Sequence, residues 1–432
     1  MGDLLAARSQ MAMSLGFHIL FAVAGMAMPL LMVIAQWRHQ RTGDPVFLEL
    51  AHRWAKGTAI LFAVGAVSGT VLSFELGLLW PRFMQYAGPL IGMPFSLEGF
   101  AFFLEAIFLG LYLYGWKRLS PRVHLLCGVG VAICGLASGV FVVAVNAFMN
   151  TPGGLVLEGG KVVEFDPWIA FFSASFPTQA AHTALSAYSA VSFAVLGIHA
   201  WRLRVDPHSA FHQRALEIAL AMAIVSTPLQ IFSGDRSAKH LAEHQPVKLA
   251  AAEAVFQTTR RAGLSLGGWP DEEARKLRYA LEIPAALSIL GKGSPDAEIA
   301  GLDQVPRGDW PPIAVVHLAF QLMVGCGMAM LGVCALGGLL WWRKRQFDRR
   351  FLGLAMASGP LGLIAIEAGW TVTEVGRQPW VLRGLMRTAD AVTPMPGLIV
   401  PFTAFTVLYL ILGLVVVVLL RAHVFDVPKS RR

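Results

Sequence analysis

Along this chain, long apolar stretches alternate with shorter polar breaks rich in basic residues. The apolar stretches fall at roughly 14–36, 55–80, 93–116, 124–148, 170–201, 214–233, 311–342, 351–372 and 395–420. A hydrocarbon core about 30 Å thick needs about 20 apolar residues per helical crossing. None of the stretches alternates with the period of two expected of a transmembrane β-strand. The pattern therefore predicts an all-α integral membrane protein with about nine transmembrane helices.

The longest polar break runs from Gly234 to Pro311, and its AAAEAVFQ portion favours helix. A connection this long is usually functional or disordered, and its helical propensity and mixed charge favour an ordered, functional loop. A second connection, TPGGLVLEGGKVVEFDPW, reads as a small hairpin turning at Gly159 and Gly160. The expected organisation is thus residues 1–233 as transmembrane helices one to six, 234–310 as an external loop, and 311–432 as helices seven to nine with a cytoplasmic tail. No internal repeat with matched broken helices is present, which weakens a secondary-transporter reading.

Composition agrees: 56% of the 432 residues are hydrophobic and only 14% charged, outside the range of soluble globular proteins. The net charge of +8 does not indicate nucleic acid, because the basic residues gather at the ends of apolar stretches. Arg38, Arg41, Arg53 and Lys56 follow the first, Lys117, Arg118 and Arg122 the third, Arg202, Arg204 and Arg214 the fifth, WWRKRQFDRR the seventh, and the chain ends in KSRR. By the positive-inside rule these alternate connections are cytoplasmic, so the N-terminus is expected outside and the C-terminus inside. Arg377, Arg383 and Arg387 break that bias and call for a local reason. Trp37, Trp54, Trp80, Trp116, Trp201, Trp341 and Trp342 lie near span ends, as an aromatic belt would. The first span, with no basic segment before it and no small-residue cleavage site, is expected to be a retained helix. Cys127, Cys134, Cys326 and Cys334 lie inside apolar spans without metal or haem-attachment spacing, and are expected to be buried free thiols.

Ionisable residues at membrane depth are costly unless paired, and so point to function. His18 sits in SLGFHILF and His182 in QAAHTALSAYSA; Met323 sits in AFQLMVGCG, and Glu75 in LSFELGLLW. Glu98 and Glu105, seven residues apart in SLEGFAFFLEA, share one helix face, while Glu367 and Glu374 belong to IEAGWTVTEVGRQPW. Taken singly, each has an ordinary reading as a satisfied polar residue or, for Met323, as packing. Together they suit haem ligation with proton delivery, since haem iron accepts His, Met or anionic oxygen and a carboxylate pair in low dielectric can hold and pass a proton.

Those residues lie in motifs that resemble subunit I of the cytochrome bd quinol:oxygen oxidases over nearly the whole chain. The motifs are FHILF, LEGFAFFLEA, LYGWKRL, NAFMNTP, AHTALSAY, GDRSAKHLAEHQPVKLAAAEAVFQT, FQLMVGCG and EAGWTVTEVGRQPW, in the family's order and spacing. The resemblance implies a haem-binding bundle in the bacterial plasma (inner) membrane. This bundle would oxidise ubiquinol or menaquinol outside and reduce dioxygen to water at a buried di-haem site, building proton-motive force by charge separation without pumping. It implies three haems: a low-spin haem b held by His182 and Met323, and a high-spin haem b with either haem d or a third haem b, served by His18 and Glu374. Which of these two residues serves which haem varies among members. By the same resemblance Glu98, Glu105, Ser138 and Asn146 belong to proton access, Lys248 and Glu253 to the quinol-binding loop, Glu367 and Trp370 to the haem pocket, and Arg377 to a haem propionate. Arg383 and Arg387 would assist propionates or lie on the surface. The expected partners are a second membrane subunit and a single-helix small subunit.

The chain also departs from the family. Gln321 stands where many members carry an arginine near the low-spin haem, with His317 one turn before it as a substitute partner. Glu75 in FELGLLW is an extra acid, and the loop is of the short type. Two rival readings follow: a family member with only haem b or a non-quinol donor, and, from another class, a proton-coupled transporter, which would bind no haem.

Overall fold

The computed structural model describes residues 2–158 and 161–425. The tip of the expected hairpin, Gly159 and Gly160, and the basic KSRR end of the expected cytoplasmic tail lie outside the described residues. Among those described, nine helices are long and apolar enough to cross a membrane: Asp3–Thr42, Pro45–Leu79, Pro81–Tyr114, Pro121–Asn150, Phe176–Val205, Ala210–His244, Ile313–Trp342, Arg349–Val375 and Ile399–Phe425. They are the first to ninth helices below.

The helix starts follow local chemistry. Pro45, Pro81 and Pro121 occupy first-turn positions, where a missing N–H costs nothing. Asp44 and Ser209 cap the second and sixth helices with their side-chain oxygens. Gly43 ends the first helix at φ 71°, a left-handed conformation suited to glycine.

Two boundaries differ from the sequence pattern. The sixth helix runs past residue 233 to His244, through a polar turn in which Lys239 donates to Asp235 at 2.5 Å. Good helix formers continue that helix beyond the apolar zone. The eighth helix is broken at Gly359–Pro360 into Arg349–Ser358 and Leu361–Val375. Small residues let this break lie against the fifth helix: a Cβ on Gly197 would stand 2.7 Å from Gly359 Cα, and one on Gly362 would stand 2.4 Å from Ala190 Cα.

The long loop is ordered but mostly not helical. After the short helix Pro246–Ala252, antiparallel pairs join Thr259–Arg260 with Glu298–Ile299, Leu264–Leu266 with Leu281–Ile283, and Trp269–Asp271 with Lys276–Arg278. The helix favoured by AAAEAVFQ stops at Ala252 because Val255 O and Phe256 O accept from Leu302 N and Asp303 N at 3.0 and 3.2 Å. Those carbonyls are claimed by the distant 3-10 turn Leu302–Gln304, and Ala254 turns at φ 53° to allow it. Ala250–Ala252, Phe256, Leu302, Ile313 and Val372 pack the loop onto the helix bundle. The second connection forms the expected hairpin, Leu155–Glu158 against Lys161–Phe165. The four cysteines are free and buried, as expected.

Candidate functional site

The fifth helix places His182 against the sixth. Gln230 Nε2 lies 3.0 Å from His182 Nε2, and Ser233 Oγ lies 3.1 Å from Nδ1. An amide nitrogen only donates, so Nε2 carries the lone pair and Nδ1–H donates to the serine. That tautomer leaves Nε2 as the ligating nitrogen, with Gln230 on its lone pair, so a metal bound there would displace the Gln230 amide. His182 and Met323 line the same cavity of about 550 Å³, which Gly234, Trp370 and Lys248 also border. Gly369 leaves room for the methionine, since a Cβ there would stand 3.0 Å from Met323 Sδ. Cofactor pockets run from about 300 to 1,000 Å³, so the cavity volume and the facing His and Met donors fit a haem.

His18 is set up in the same way. Ser68 Oγ donates to Val64 O at 2.9 Å, so it accepts Nδ1–H from His18 at 2.9 Å and leaves Nε2 with its lone pair. Gly69 gives the ring its space: a Cβ there would stand 3.0 Å from His18 Cε1. Glu367 reaches toward the first helix, its Oε2 3.2 Å from where a Gly16 Cβ would be, and its buried Oε1 has no partner. Glu374 accepts from Asn146 Nδ2 and, at 2.5 Å, from Arg377. Arg377 is 5% exposed, and its Nε and Nη1 are buried without partners. Two unsatisfied guanidinium N–H groups in a buried site call for an anion, and a propionate carboxylate meets that need.

Glu98 lies midway along the third helix, with Glu105 two turns further along it. Ser138 Oγ donates to Glu98 Oε1 at 3.2 Å. Glu105, 3% exposed, enters between the first and fourth helices, where Gly25 and Gly135 leave room for its carboxylate. Ser138 and Asn146 share one face of the fourth helix, so polar groups run from Glu98 toward Glu374. Glu75, the extra acid, is buried on the second helix and accepts from Gln10 and Ser14 at 2.9 Å each.

In the loop, Lys248 and Glu253 are buried. Burial lowers the lysine pKa, as does the nearby Arg377 guanidinium, with Glu374 opposing. Burial pushes the Glu253 carboxyl up to about 7, and its two oxygens have no hydrogen-bond partner. Gln321 does not line the cavity. Its amide holds the loop, accepting from Gly267 N at 3.0 Å and donating to Ser265 O at 2.9 Å. His317 is spent in the same way, its ring nitrogens 2.8 Å from Ala252 O and 3.2 Å from Gly267 O. Arg383 donates to His244 O and Arg387 to Asp309, so both tie loops together.

Sequence reasoning missed Ser68, Ser233, Gln230 and Asn150, because a serine or amide one helix away leaves no trace in the local pattern. Gly69 and Gly369 were missed although their signal, a glycine inside an apolar span, was present.

A multi-pass helical bundle with part-buried His182 and Met323 lining one cavity, and carboxylates on neighbouring helices, defines a membrane protein suited to a redox cofactor. The model of the family "Cytochrome bd terminal oxidase subunit I" matches residues 6–428. The chain is 38% identical to the putative cytochrome bd menaquinol oxidase subunit I of Bacillus subtilis (strain 168), over 99% of this chain and 98% of that one. It is 28% identical to the cytochrome bd-II ubiquinol oxidase subunit 1 of Escherichia coli (strain K12), over 89% and 88%. The solved bd oxidase of Geobacillus thermodenitrificans superposes with a TM-score of 0.91 at 42% identity, covering 97% of this chain and 98% of that one. The chain belongs to the cytochrome bd terminal oxidase subunit I family.

Proposed function

We propose that this subunit oxidises a quinol at the loop and reduces dioxygen to water at the buried site around His18 and Glu374. The observation that carries the reading is the cavity lined by His182 and Met323, which Lys248 of the loop also borders; a haem held there would accept electrons from a quinol at the loop. Bound haems, a low-spin b with a high-spin b and either a d or a third b, would supply electron transfer and the iron at which dioxygen is reduced.

The protein's own groups do the rest. Glu253, with its carboxyl raised to about 7, takes a proton from the quinol hydroxyl, while Lys248 fixes the ring oxygen. Ser233 and Ser68 hold His182 and His18 in the ligating tautomer. Gly369 and Gly69 keep space for Met323 and the His18 ring. Glu367 and Trp370 would flank a bound haem, and Arg377, with two unpaired N–H groups, would hold a propionate. Glu105, Glu98 and Ser138 would convey protons toward the oxygen site, and Asn146 holds Glu374 at the end of that route. With the N-terminus and loop outside, protons are released outside and consumed from the cytoplasm, so turnover separates charge across a bacterial plasma membrane. The named bd oxidases among the relatives support this reading, as does the basic bias of the opposite connections. A second membrane subunit, with a single-helix third, would complete the complex.

The test is a dithionite-reduced minus air-oxidised spectrum of the purified complex, with extracted haems typed by chromatography. Haem b with a chlorin, or haem b alone, is the expected outcome, and quinol should reduce it. A folded complex without haem would overturn the reading.

A further inference from the structure

Lys248 is buried with a single hydrogen-bond partner among the described residues, Asn150 at the end of the fourth helix. The lysine's stem crosses Gly376, where a Cβ would stand 2.9 Å from Lys248 Cγ. The ammonium is thereby threaded between the ends of the fourth and eighth helices. Asn150 is 0% exposed, and the oxygen and nitrogen of its side-chain amide are both used. Oδ1 accepts from Lys248 Nζ, while Nδ2 donates to Asn146 Oδ1 at 2.9 Å and to Asn146 O at 3.0 Å. Asn146 Nδ2 in turn donates to Glu374 Oε1. Every bond in this row donates in one direction, from the loop ammonium through two amides to the carboxylate. Each amide is therefore polarised the same way, which strengthens the row as a whole.

We infer that Asn150 is a positioning residue for quinol oxidation: it fixes the Lys248 ammonium at the quinol site and ties that site to Glu374 through Asn146. This rests on the quinol reading of Lys248. Neutral amides do not pass protons along such a row without flipping. Its function is to set geometry: the Lys248 cation and the Glu374 carboxylate, itself paired with Arg377, are held in fixed positions with two amides between them. An isolated buried ammonium without this acceptor would be left with none of its hydrogen bonds made to protein, a costly state that would move or neutralise the side chain.

The experiment uses the complete oxidase with Asn150→Ala, Asn150→Asp and Lys248→Ala. Asn150→Ala removes the acceptor, and KM for quinol should rise by roughly tenfold or more, the size of one hydrogen bond to a charged group, with haem content retained. Asn150→Asp keeps an oxygen for Lys248 but cannot donate to Asn146. It should hold KM within about twofold of the parent while shifting the absorption bands of the haem at Glu374. An unchanged KM in Asn150→Ala, with Lys248→Ala raising it, would overturn the inference and leave the quinol site standing. An unchanged KM in Lys248→Ala would instead remove the quinol reading itself. If Asn150→Ala does not assemble, Asn150→Asp decides, because bands identical to the parent would break the proposed tie to Glu374.

Discussion

At the scale of single residues, the site depends on small neighbours as much as on the ligands. Gly369 makes the space for Met323, so Gly369→Ala should displace the thioether at a cost of about 1–3 kcal/mol of packing strain. The expected result is a weakened low-spin haem band with the other haem bands intact, read in a difference spectrum. Ser233→Ala leaves His182 without its Nδ1 acceptor and should shift the midpoint potential of the same haem without removing it. Glu253 gives a pH prediction. Only the ionised carboxylate accepts a proton, and burial raises its pKa to about 7. Its active fraction therefore grows with pH, and kcat/KM for quinol should climb between about pH 6 and 8. Glu253→Gln should flatten that climb and lower turnover by about 10²-fold.

At the scale of elements, the loop is held to the bundle by the first turns of the seventh helix. His317 and Gln321, one turn apart, grip Ala252, Ser265 and Gly267 through ring and amide groups. Each hydrogen bond contributes about 1 kcal/mol. The pair His317→Leu with Gln321→Ala should release the hairpin Leu264–Ile283, raising its proteolysis rate and the quinol KM while sparing the haem spectrum. A rigid loop with unchanged KM would show that this grip does not matter. Gln321 is thus spent on fastening the loop.

At the scale of the whole molecule, the helices arrange two polar systems along one bundle. Lys248 meets the end of the fourth helix at Asn150, and Glu98 and Glu105 lie deeper, Glu98 against Ser138 in the middle of that helix. In vesicles containing the complete complex, quinol oxidation should acidify the loop side and consume protons from the other, and Glu105→Gln should slow oxygen reduction by about 10²-fold or more with haem content unchanged. Normal turnover in that variant would remove Glu105 from the proton route. The sequence alone determined the nine crossings, because twenty apolar residues in a row have no stable place except lipid or a buried core. It also marked His18, His182, Met323 and the carboxylates, because their polarity is conspicuous inside such stretches. Only the tertiary structure decided where AAAEAVFQ stops being helical, since Val255 and Phe256 give their carbonyls to residues far along the chain. It alone turned Gln321 and His317 toward the loop and joined Lys248 to Glu374 through Asn150 and Asn146. Local propensity and hydropathy act over one or two turns, whereas these contacts are made between helix ends that meet only after the bundle has closed.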